Sequence, residues 1–537
     1  MNKKKNINFF KNVDLPLTLG GVAVVFALGI SMLNDPASAT KIANEMFKWL
    51  TRTFSPIYLW FVFIALGFSI FIYFSKYGNI RLGNEKPVFR SFTLFAMVTG
   101  MSFGAGVLYW GFLESLYYYS VPVSYITPTS AESARWALMM VYQHNGFLPW
   151  SIFVLCSMPM AYAFNNKGQK ELNLSALLAN QYGEKIFNRP VRKILDFFII
   201  FACIGYLAQT MGFSLPLVTA ILGKIFNVSG DPFVVTTIIM LTMAVVYSLS
   251  SYIGIEKGLA KIADFNIYAT MAFLGIVVIA SDKWFLVNSA THSIGAWLSN
   301  IIELSLQTDV INGTNFPQEW TTFFWAFWIV VSPSMALLVA KIFKGQRLKD
   351  LVSLIILGGS TGSLIFMSIC QHYSMTLELG GADLLGTLQS QGGHNVIVRI
   401  LESLPFPMIT STIYFVCIIF FIATSIDGSS FALASMTTKQ LDENGNPNPL
   451  FRLFWCVLIT LTPLLLTYLS VPINTIKTIG TLVTLPLILI FSAQVVGLIR
   501  WFKTDWKGKT AQDIIELDNV LKELEAKKAE ENQAGAK

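Results

Sequence analysis

Apolar residues along this 537-residue chain gather into long runs, with polar residues confined to the segments between them. A helix needs about 20 apolar residues to cross a hydrocarbon core of about 30 Å. Twelve runs have that length, at 15–33, 56–74, 92–113, 138–164, 194–214, 233–251, 262–281, 321–342, 351–371, 407–436, 451–470 and 474–499. The pattern predicts an all-α polytopic membrane protein with twelve transmembrane helices, numbered below as spans 1 to 12.

Composition and charge support a membrane location. Hydrophobic residues make up 54% of the chain, charged residues 13%, and the mean hydropathy is +0.58, whereas soluble domains carry about 25% charge. With a cytoplasmic N-terminus, about 30 of the 38 Lys and Arg residues fall on the inner side, as the positive-inside rule expects. This predicts a multi-pass protein of the cell (plasma) membrane, surrounded by membrane lipid, with both termini cytoplasmic. The basic residues behind the net charge of +7 lie in the loops between spans rather than on one exposed face. This distribution argues against nucleic acid as a partner.

Other function classes lack the residues that they need. The spans hold no His, Glu and Asp cluster at catalytic or metal-ligand spacing, so an enzyme is not expected. Repeated filter sequences and charged rings, which a channel would need, are also missing from the sequence. The five cysteines lie within apolar runs, which predicts free, buried thiols without disulfides. A secondary transporter remains the favoured class.

Two of the predicted spans carry features that interrupt a helix. Span 3 contains Gly100, Gly104 and Gly106, and span 8 contains the segment Ser332-Pro333-Ser334. Interrupted helices at matching positions of two halves indicate an inverted-repeat transporter, here with spans 3–7 and 8–12 as repeats. The alternative for the glycines is close packing between neighbouring helices.

Span 8 is also unusually rich in aromatic residues. Trp320 is followed by the run Phe323-Phe-Trp-Ala-Phe-Trp328, directly before the Ser-Pro-Ser segment. Aromatic faces attract organic cations, so this run at membrane depth predicts a site for a small ammonium compound. The alternative for any single ring is ordinary packing.

Motifs distributed over nearly the whole chain resemble the betaine/carnitine/choline transporter family, and most closely its carnitine-type branch. The residues that carry the resemblance are Gly104-Ala-Gly-Val-Leu-Tyr-Trp-Gly111 with Glu114 and Tyr117-Tyr-Tyr119, His144-Asn-Gly-Phe-Leu-Pro-Trp150, Ile255-Glu-Lys-Gly258, Phe316-Pro-Gln-Glu-Trp-Thr321, Trp325-Ala-Phe-Trp328, Lys341-Ile-Phe-Lys-Gly345 and Phe421-Ile-Ala-Thr-Ser-Ile-Asp427.

The resemblance implies a five-plus-five inverted repeat preceded by two further spans, assembled as a homotrimer. It also implies alternating-access transport of a small zwitterionic ammonium compound. The expected division of the chain is a cytoplasmic tail at 1–14, two peripheral helices at 15–91, a first repeat at 92–281, an extracellular connecting helix or loop at 282–320, a second repeat at 321–500 and a charged cytoplasmic tail at 501–537.

The same resemblance implies a set of substrate-binding positions. They are Tyr117, Asn145, Trp325, Phe327, Trp328, Val331, Met335, Ser102, Gly104 and Gly106. Family members carry rings where this chain has Asn145 and Val331. The asparagine amide suits an ammonium with N–H bonds, so a less methylated amine zwitterion, such as an amino acid or a taurine-like compound, is an alternative substrate.

No cofactor is expected, and sodium is expected as the coupling ion. The positions that match the sodium ligands of relatives are Gly100, Phe103, Phe421, Thr424 and Ser425. An alternative for the two hydroxyls is bonding back to their own helix.

Sodium-independent exchange remains open as a second mode. The resemblance implies that sodium-independent exchangers of the carnitine type carry an arginine where this chain has Asn266, and the lack of that arginine favours sodium coupling. Met335 favours exchange instead, because it matches a methionine of those exchangers.

Two further features leave alternatives open. Asp427 is an ionisable residue within span 10, which favours function, although it could cap a local break or pair with a neighbour. In the tail, Ile514, Leu517, Leu521 and Leu524 have helical spacing. That helix is either a solvated extension or a regulatory or oligomer-contacting element.

Overall fold

The computed structural model describes residues 12–101, 104–169, 171, 173–228, 230–253, 260–311, 313–439, 446–468, 477–478, 480–521 and 523. The first half of these residues forms helices α1 Leu15–Asn34, α2 Pro36–Phe74, α3 Ser91–Met101, α4 Ala105–Ser120, α5 Ala131–Asn145, α6 Phe147–Asn166, α7 Leu174–Tyr182, α8 Arg189–Lys224, α9 Pro232–Ile253 and α10 Ala260–Ala280. The second half forms α11 Lys283–Leu306, α12 Thr322–Ile342, α13 Leu348–Leu377, α14 Leu384–Gln391, α15 Gly393–Ser403, α16 Pro407–Met436, α17 Pro449–Tyr468 and α18 Thr484–Asp505.

Each of the twelve predicted runs overlaps a helix or a helix pair in the described residues, which confirms the all-α polytopic fold. Several helices extend well beyond the apolar run that predicted them, and α2 has 39 residues. Within the described ranges, seven helices are long and apolar enough to cross a membrane, or up to nine if each bent pair is one span. Twelve crossings therefore stay a prediction.

The interruption predicted in span 3 is confirmed. Helix α3 ends at Met101 and α4 begins at Ala105, and their axes differ by 62°. Gly104 caps α4 in an extended conformation, with φ −112° and ψ 167°. The N-terminus of α4 therefore begins inside the bundle.

The break predicted at Ser332-Pro333-Ser334 is wrong. Helix α12 continues from Thr322 to Ile342 with Pro333 inside it. An interior proline removes the hydrogen bond from its own nitrogen and crowds the carbonyl four residues earlier, but in membrane helices neighbouring groups accommodate this. The Ser332 hydroxyl donates to the Trp328 carbonyl at 2.9 Å, and Ser332 and Pro333 are both buried. The irregular turn lies earlier instead, as a π-helical turn at Pro317–Thr321.

The interior is built where helices of the two predicted repeats cross. Helix α12 of span 8 packs on α6 of span 4, and α3 of span 3 packs on α13 of span 9. Exchanging the repeats converts one of these contacts into the other, as a two-fold relation would require. The repeats themselves stay a prediction.

The segment predicted as a connecting helix or loop is mostly helical. Helix α11 spans Lys283–Leu306 and turns by 110° from the helix before it. Asp282 caps it by accepting from the backbone N–H groups of Trp284 and Phe285, at 2.9 and 3.1 Å. Such a turn directs the chain across the bundle rather than back through it. The extracellular position of this helix stays a prediction.

The C-terminal tail docks on the loop between spans 2 and 3. Ile514 is buried, the Arg81 guanidinium lies 3.6 Å from the Asp518 carboxylate, and the Lys76 ammonium donates to the Lys509 carbonyl at 2.7 Å. The described part of the tail is therefore packed against the protein rather than only solvated.

A capping box starts the tail helix. The Thr510 backbone N–H donates to the Asp513 carboxylate at 2.7 Å and holds the pKa of that carboxyl below its usual range. The Asp513 N–H in turn donates to the Thr510 hydroxyl at 3.2 Å. Leu517 is exposed, so the predicted apolar face is only partly buried, and Leu524 lies outside the described residues.

Candidate transport site

One stripe of α12 is accessible while the rest of the helix is buried. Its half-buried positions are Phe327, Val331, Ser334, Met335, Leu338 and Lys341, and every other residue from Thr322 to Ile342 is buried. These positions recur every three or four residues, so they share one helix face. This face, the α12 stripe, brings together three predicted site residues: Phe327, Val331 and Met335.

The start of α4 meets the α12 stripe at Phe327. A Cβ built on Gly106 would lie only 3.2 Å from the Phe327 ring, whereas one on Gly104 would meet nothing within 4 Å. Span 3 and span 8 therefore approach each other at Gly106, and the assignment of Gly104 and Gly106 to substrate binding stays a prediction. Ser102 and Phe103 lie outside the described residues.

Helix α8 brings Tyr206 to this face, a candidate site residue that the sequence pattern did not single out. The Tyr206 ring lies 5.9 Å from the Phe327 ring, and its hydroxyl lies beside the hydroxyl of Ser425 on α16. The Cys203 sulfur is 3.7 Å from the Ser334 hydroxyl. A tyrosine in the middle of span 5 was the available signal, but many buried tyrosines only pack.

Trp328 points to a different neighbour from Phe327 because adjacent helical residues differ by about 100° around the axis. Its ring packs on Trp150 at 5.5 Å and Phe153 at 5.4 Å, and its indole N–H donates to the His144 carbonyl at 3.2 Å. The structure therefore directs Phe327 and Trp328 to separate surroundings.

Trp325 is fully buried, with its ring edge-on to His144 at 5.5 Å. Its indole N–H has no hydrogen-bond partner among the described residues. This placement corresponds to the packing alternative, since the ring has no accessible surface from which to meet a ligand.

Asn145 belongs to a buried polar network around Glu114. Its side-chain N–H groups donate to the Glu114 carboxylate and to the Val141 carbonyl, both at 3.0 Å. The Tyr118 hydroxyl donates to the same carboxylate at 2.8 Å and lies 2.7 Å from His144 Nδ1. Buried donors of this kind are costly to leave unpaired. The N–H groups of the asparagine amide therefore donate to protein acceptors rather than to a substrate.

Phe327 and Tyr206 form one aromatic group, and Tyr117 lies in a second aromatic group, formed around the end of α4. Its ring is 4.8 Å from Trp320 and 6.0 Å from Trp110. Phe323 joins the two groups, at 6.0 Å from Trp110 and 6.3 Å from Phe327. The predicted aromatic cage is therefore divided into two sets of rings, one turn of α12 apart.

Thr424 and Ser425, two of the residues predicted to bind sodium, are close to the accessible face, but their hydroxyls already donate hydrogen bonds to the protein. Thr424 and Ser425 are half-buried, and both donate to the Phe421 carbonyl, at 3.0 and 2.8 Å. This is the back-bonded arrangement considered as the alternative, although each hydroxyl oxygen keeps lone pairs that could ligate a cation. Gly100 lies at the end of α3 and packs so closely on Ile267 that a Cβ would lie 2.6 Å from it.

Asn266 faces the same region from α10. The Phe265 and Phe420 rings lie 5.4 Å apart, and the Thr270 hydroxyl is 3.8 Å from the Cys417 sulfur. These contacts set α10 antiparallel to α16, which places Asn266 opposite the turn that contains Phe421. Asn266 is fully buried, and neither atom of its amide has a hydrogen-bond partner in the described structure.

Asp427 forms a buried ion pair with Arg452 of α17. Arg452 also lies over the Phe431 ring at 5.6 Å, and Lys341 lies over the same ring at 4.8 Å. Pairing with a neighbour was one of the two alternatives for Asp427. The structure places this carboxylate in a contact between helices.

Long apolar helices, an interrupted helix whose second half starts inside the bundle, and the accessible α12 stripe beside it are features of a membrane transporter. Residues 16–507 match the model of the betaine/carnitine/choline family transporters. The chain therefore belongs to the betaine/carnitine/choline transporter family, as its motifs predicted. It is a transporter and not an enzyme.

Two curated relatives cover most of the chain. A carnitine transporter of Acinetobacter baumannii is 30% identical over 477 residues, which are 89% of this chain and 86% of the relative. The uncharacterized transporter YeaV of Escherichia coli is 30% identical over 454 residues, which are 84% of this chain and 94% of the relative.

Proposed function

We propose that this protein carries a small zwitterionic or cationic ammonium compound across the membrane by alternating access along the α12 stripe. The observation that supports this most strongly is the half-buried face of Phe327, Val331 and Met335 on an otherwise buried helix. Phe327 and Tyr206 offer ring faces to an ammonium group. The relative described as a carnitine transporter supports a substrate of the betaine or carnitine type.

The two substrate alternatives differ in how many methyl groups the ammonium carries: a betaine-like or carnitine-like compound is fully methylated, and an amino acid or taurine-like compound is less so. Val331 offers no ring, which weakens the attraction to a methylated cation. The Asn145 amide already donates to Glu114 and Val141, so it has little left to offer a substrate with N–H bonds. Only Val331 therefore favours a less methylated amine, and we favour a betaine-like or carnitine-like substrate.

Sodium is proposed as the coupling ion. Thr424 and Ser425 present hydroxyl oxygens beside the accessible face, and hard cations prefer oxygen ligands. The unpartnered amide of Asn266 lies opposite this turn and carries no positive charge that would repel a cation. Sodium-independent exchange is the second candidate, and Met335 on the α12 stripe is the observation that favours it.

The proposed setting is the cell membrane, with both termini cytoplasmic and three copies forming a homotrimer. The lysine and arginine distribution supports the orientation. Accessible cysteines introduced at exposed loop positions, labelled in intact cells by a membrane-impermeant thiol reagent, would test it. Labelling of the segment between spans 1 and 2, at 34–55, from outside is expected, and labelling of the tail from outside would contradict the orientation.

Uptake into proteoliposomes tests the transport proposal. The purified protein is assayed with betaine, carnitine, choline and an amino-acid panel, with and without an inward sodium gradient. We expect saturable, sodium-stimulated uptake of a methylated zwitterion that unlabelled substrate inhibits. Uptake that needs a counter-substrate inside but no sodium would establish exchange, and the absence of uptake for the whole panel would contradict the proposed substrate class.

A further inference from the structure

A positive charge of the protein itself lies in the second aromatic group. The Lys477 ammonium is 3.6 Å from the centre of the Trp320 ring, 4.5 Å from that of Phe323 and 5.7 Å from that of Trp110. Lys477 is only 3% exposed. We call these three rings the outer aromatic cage, since they surround one cation from several sides.

The position of Lys477 is fixed by its backbone neighbours. The Gln209 side chain donates to the Lys477 carbonyl at 2.7 Å, and the Thr478 hydroxyl donates to the Ala43 carbonyl at 3.1 Å. Gly480 permits this approach, because a Cβ there would lie 2.3 Å from the Gln209 amide. The chain is thus held against α8 and α2 in a way that directs the ammonium at the rings.

The rings are the principal partners of this ammonium. In the described part of the chain, no carboxylate lies within ion-pair distance of Lys477, and the exposed Glu319 acts on it only from a greater distance. A desolvated ammonium over a tryptophan face gains more from cation–π attraction than an exposed one. The cage therefore has the chemistry of an ammonium site, and its occupant is a side chain.

The outer aromatic cage is continuous with the α12 stripe. Phe323 belongs to the cage and lies one helical turn before Phe327, with the two rings 6.3 Å apart. A cation leaving the cage along α12 would next meet the Phe327 ring. Any ammonium ligand that approaches by way of Trp320 has to displace Lys477.

We propose that Lys477 is the resident cation of the outer aromatic cage and competes there with ammonium ligands, so that it sets the affinity of the cage for them. The inference rests on the proposed function only for the class of the competing ligand. A tethered ammonium has a high local concentration, so it excludes free cations that bind no more tightly.

Tetramethylammonium is the probe that tests this competition, because it has a quaternary ammonium and no carboxylate. Its Kd is measured by calorimetry on the purified full chain in detergent. In Lys477→Ala the cage is vacant, and the Kd is expected to fall at least tenfold. Lys477→Arg keeps a cation over the rings and is expected to stay within twofold of the wild type. Equal Kd values in the wild type and in Lys477→Ala would overturn the proposal.

A ring variant shows where any gained binding occurs. Adding Trp320→Leu to Lys477→Ala is expected to abolish the gain, and a gain that persists would overturn the proposal. Trp320→Leu alone is expected to leave the weak wild-type Kd within twofold, because Lys477 already fills the cage. A tenfold loss in that single variant would mean that free ligand binds there beside Lys477, which also contradicts it.

These binding measurements are independent of transport. If the wild type carries no compound of the uptake panel, the proposed substrate class fails while the comparison of Kd values still reports on the cage. If uptake occurs as expected and the Kd values do not differ, only the role of Lys477 fails.

Discussion

At the scale of single residues, Phe327 contacts several helices of the candidate site. It lies on the accessible face of α12, its ring approaches Gly106 and Tyr206, and Phe323 links it to the outer aromatic cage. Neighbouring tryptophans of the same run are buried in packing contacts instead. One phenylalanine therefore has the position that the sequence pattern suggested for several rings.

Phe327→Ala should weaken substrate binding without unfolding the protein, because the side chain is half-buried. Losing one cation–π contact costs about 0.5–2 kcal/mol, which is roughly a 2- to 30-fold higher KM for uptake. Phe327→Trp is the matched control and should keep the wild-type KM or lower it. Equal KM values in the alanine and tryptophan variants would show that the ring does not meet the substrate.

At the scale of helices, the contact between α4 and α12 depends on one glycine. The first turn of α4 carries Gly106 where a side chain would press on the Phe327 ring, whereas Gly104 faces open space. Close approach of two helices at a small residue is common in membranes. Here the approach also sets the orientation of the ring that is proposed to bind substrate.

Gly106→Ala should raise the KM, since the added methyl at 3.2 Å forces the Phe327 ring from its rotamer. Such a displacement costs about 0.5–1.5 kcal/mol, or roughly a 2- to 12-fold change. Gly67→Ala adds the same methyl to α2, where it meets nothing within 4 Å, and should leave the KM unchanged. The idea fails if the two variants have the same kinetics.

At the scale of the whole molecule, energy coupling and the docked tail involve distant parts of the chain. One co-transported charge contributes about 2.3 kcal/mol per 100 mV, or roughly 50-fold accumulation, whereas electroneutral exchange contributes none. Of the proposed sodium ligands, Gly100 lies on α3 and Thr424 and Ser425 lie on α16, two helices that both contact α10. The tail in turn connects α18 with the loop after α2.

The double variant Thr424→Ala, Ser425→Ala should lose sodium stimulation of uptake, because it removes two proposed oxygen ligands. Ser430→Ala is the control, since that hydroxyl also bonds back to its own helix, donating to the Asp427 carbonyl at 2.8 Å. Uptake is measured against sodium concentration. An unchanged sodium dependence in the double variant would refute the assignment.

Ile514→Ala should release the tail, because the apolar Ile514 side chain is buried while Leu517 is 48% exposed. Deleting a buried aliphatic side chain costs about 2–5 kcal/mol, so cleavage by trypsin after Lys507 or Lys509 should accelerate roughly tenfold or more. Leu517→Ala removes similar apolar atoms from an exposed position and should be cleaved like the wild type. Similar cleavage rates for both variants would mean that docking does not depend on Ile514.

The sequence by itself determined the class of this protein, the positions of its helices and its family. Apolar runs of membrane length have to become helices in lipid, because no water is present to pair their backbone groups. The clustered glycines of span 3 also marked a real interruption. These features depend on local composition, which a sequence records directly.

Only the tertiary structure decided which residues share a site. Pro333 does not break α12 because its surroundings hold the helix together, and adjacent Phe327 and Trp328 point to different neighbours. The Asn145 amide donates a hydrogen bond to Glu114. The Lys477 ammonium, distant in sequence, lies over the Trp320 ring. Such relations depend on distances between helices, and the order of residues along a chain does not fix those distances.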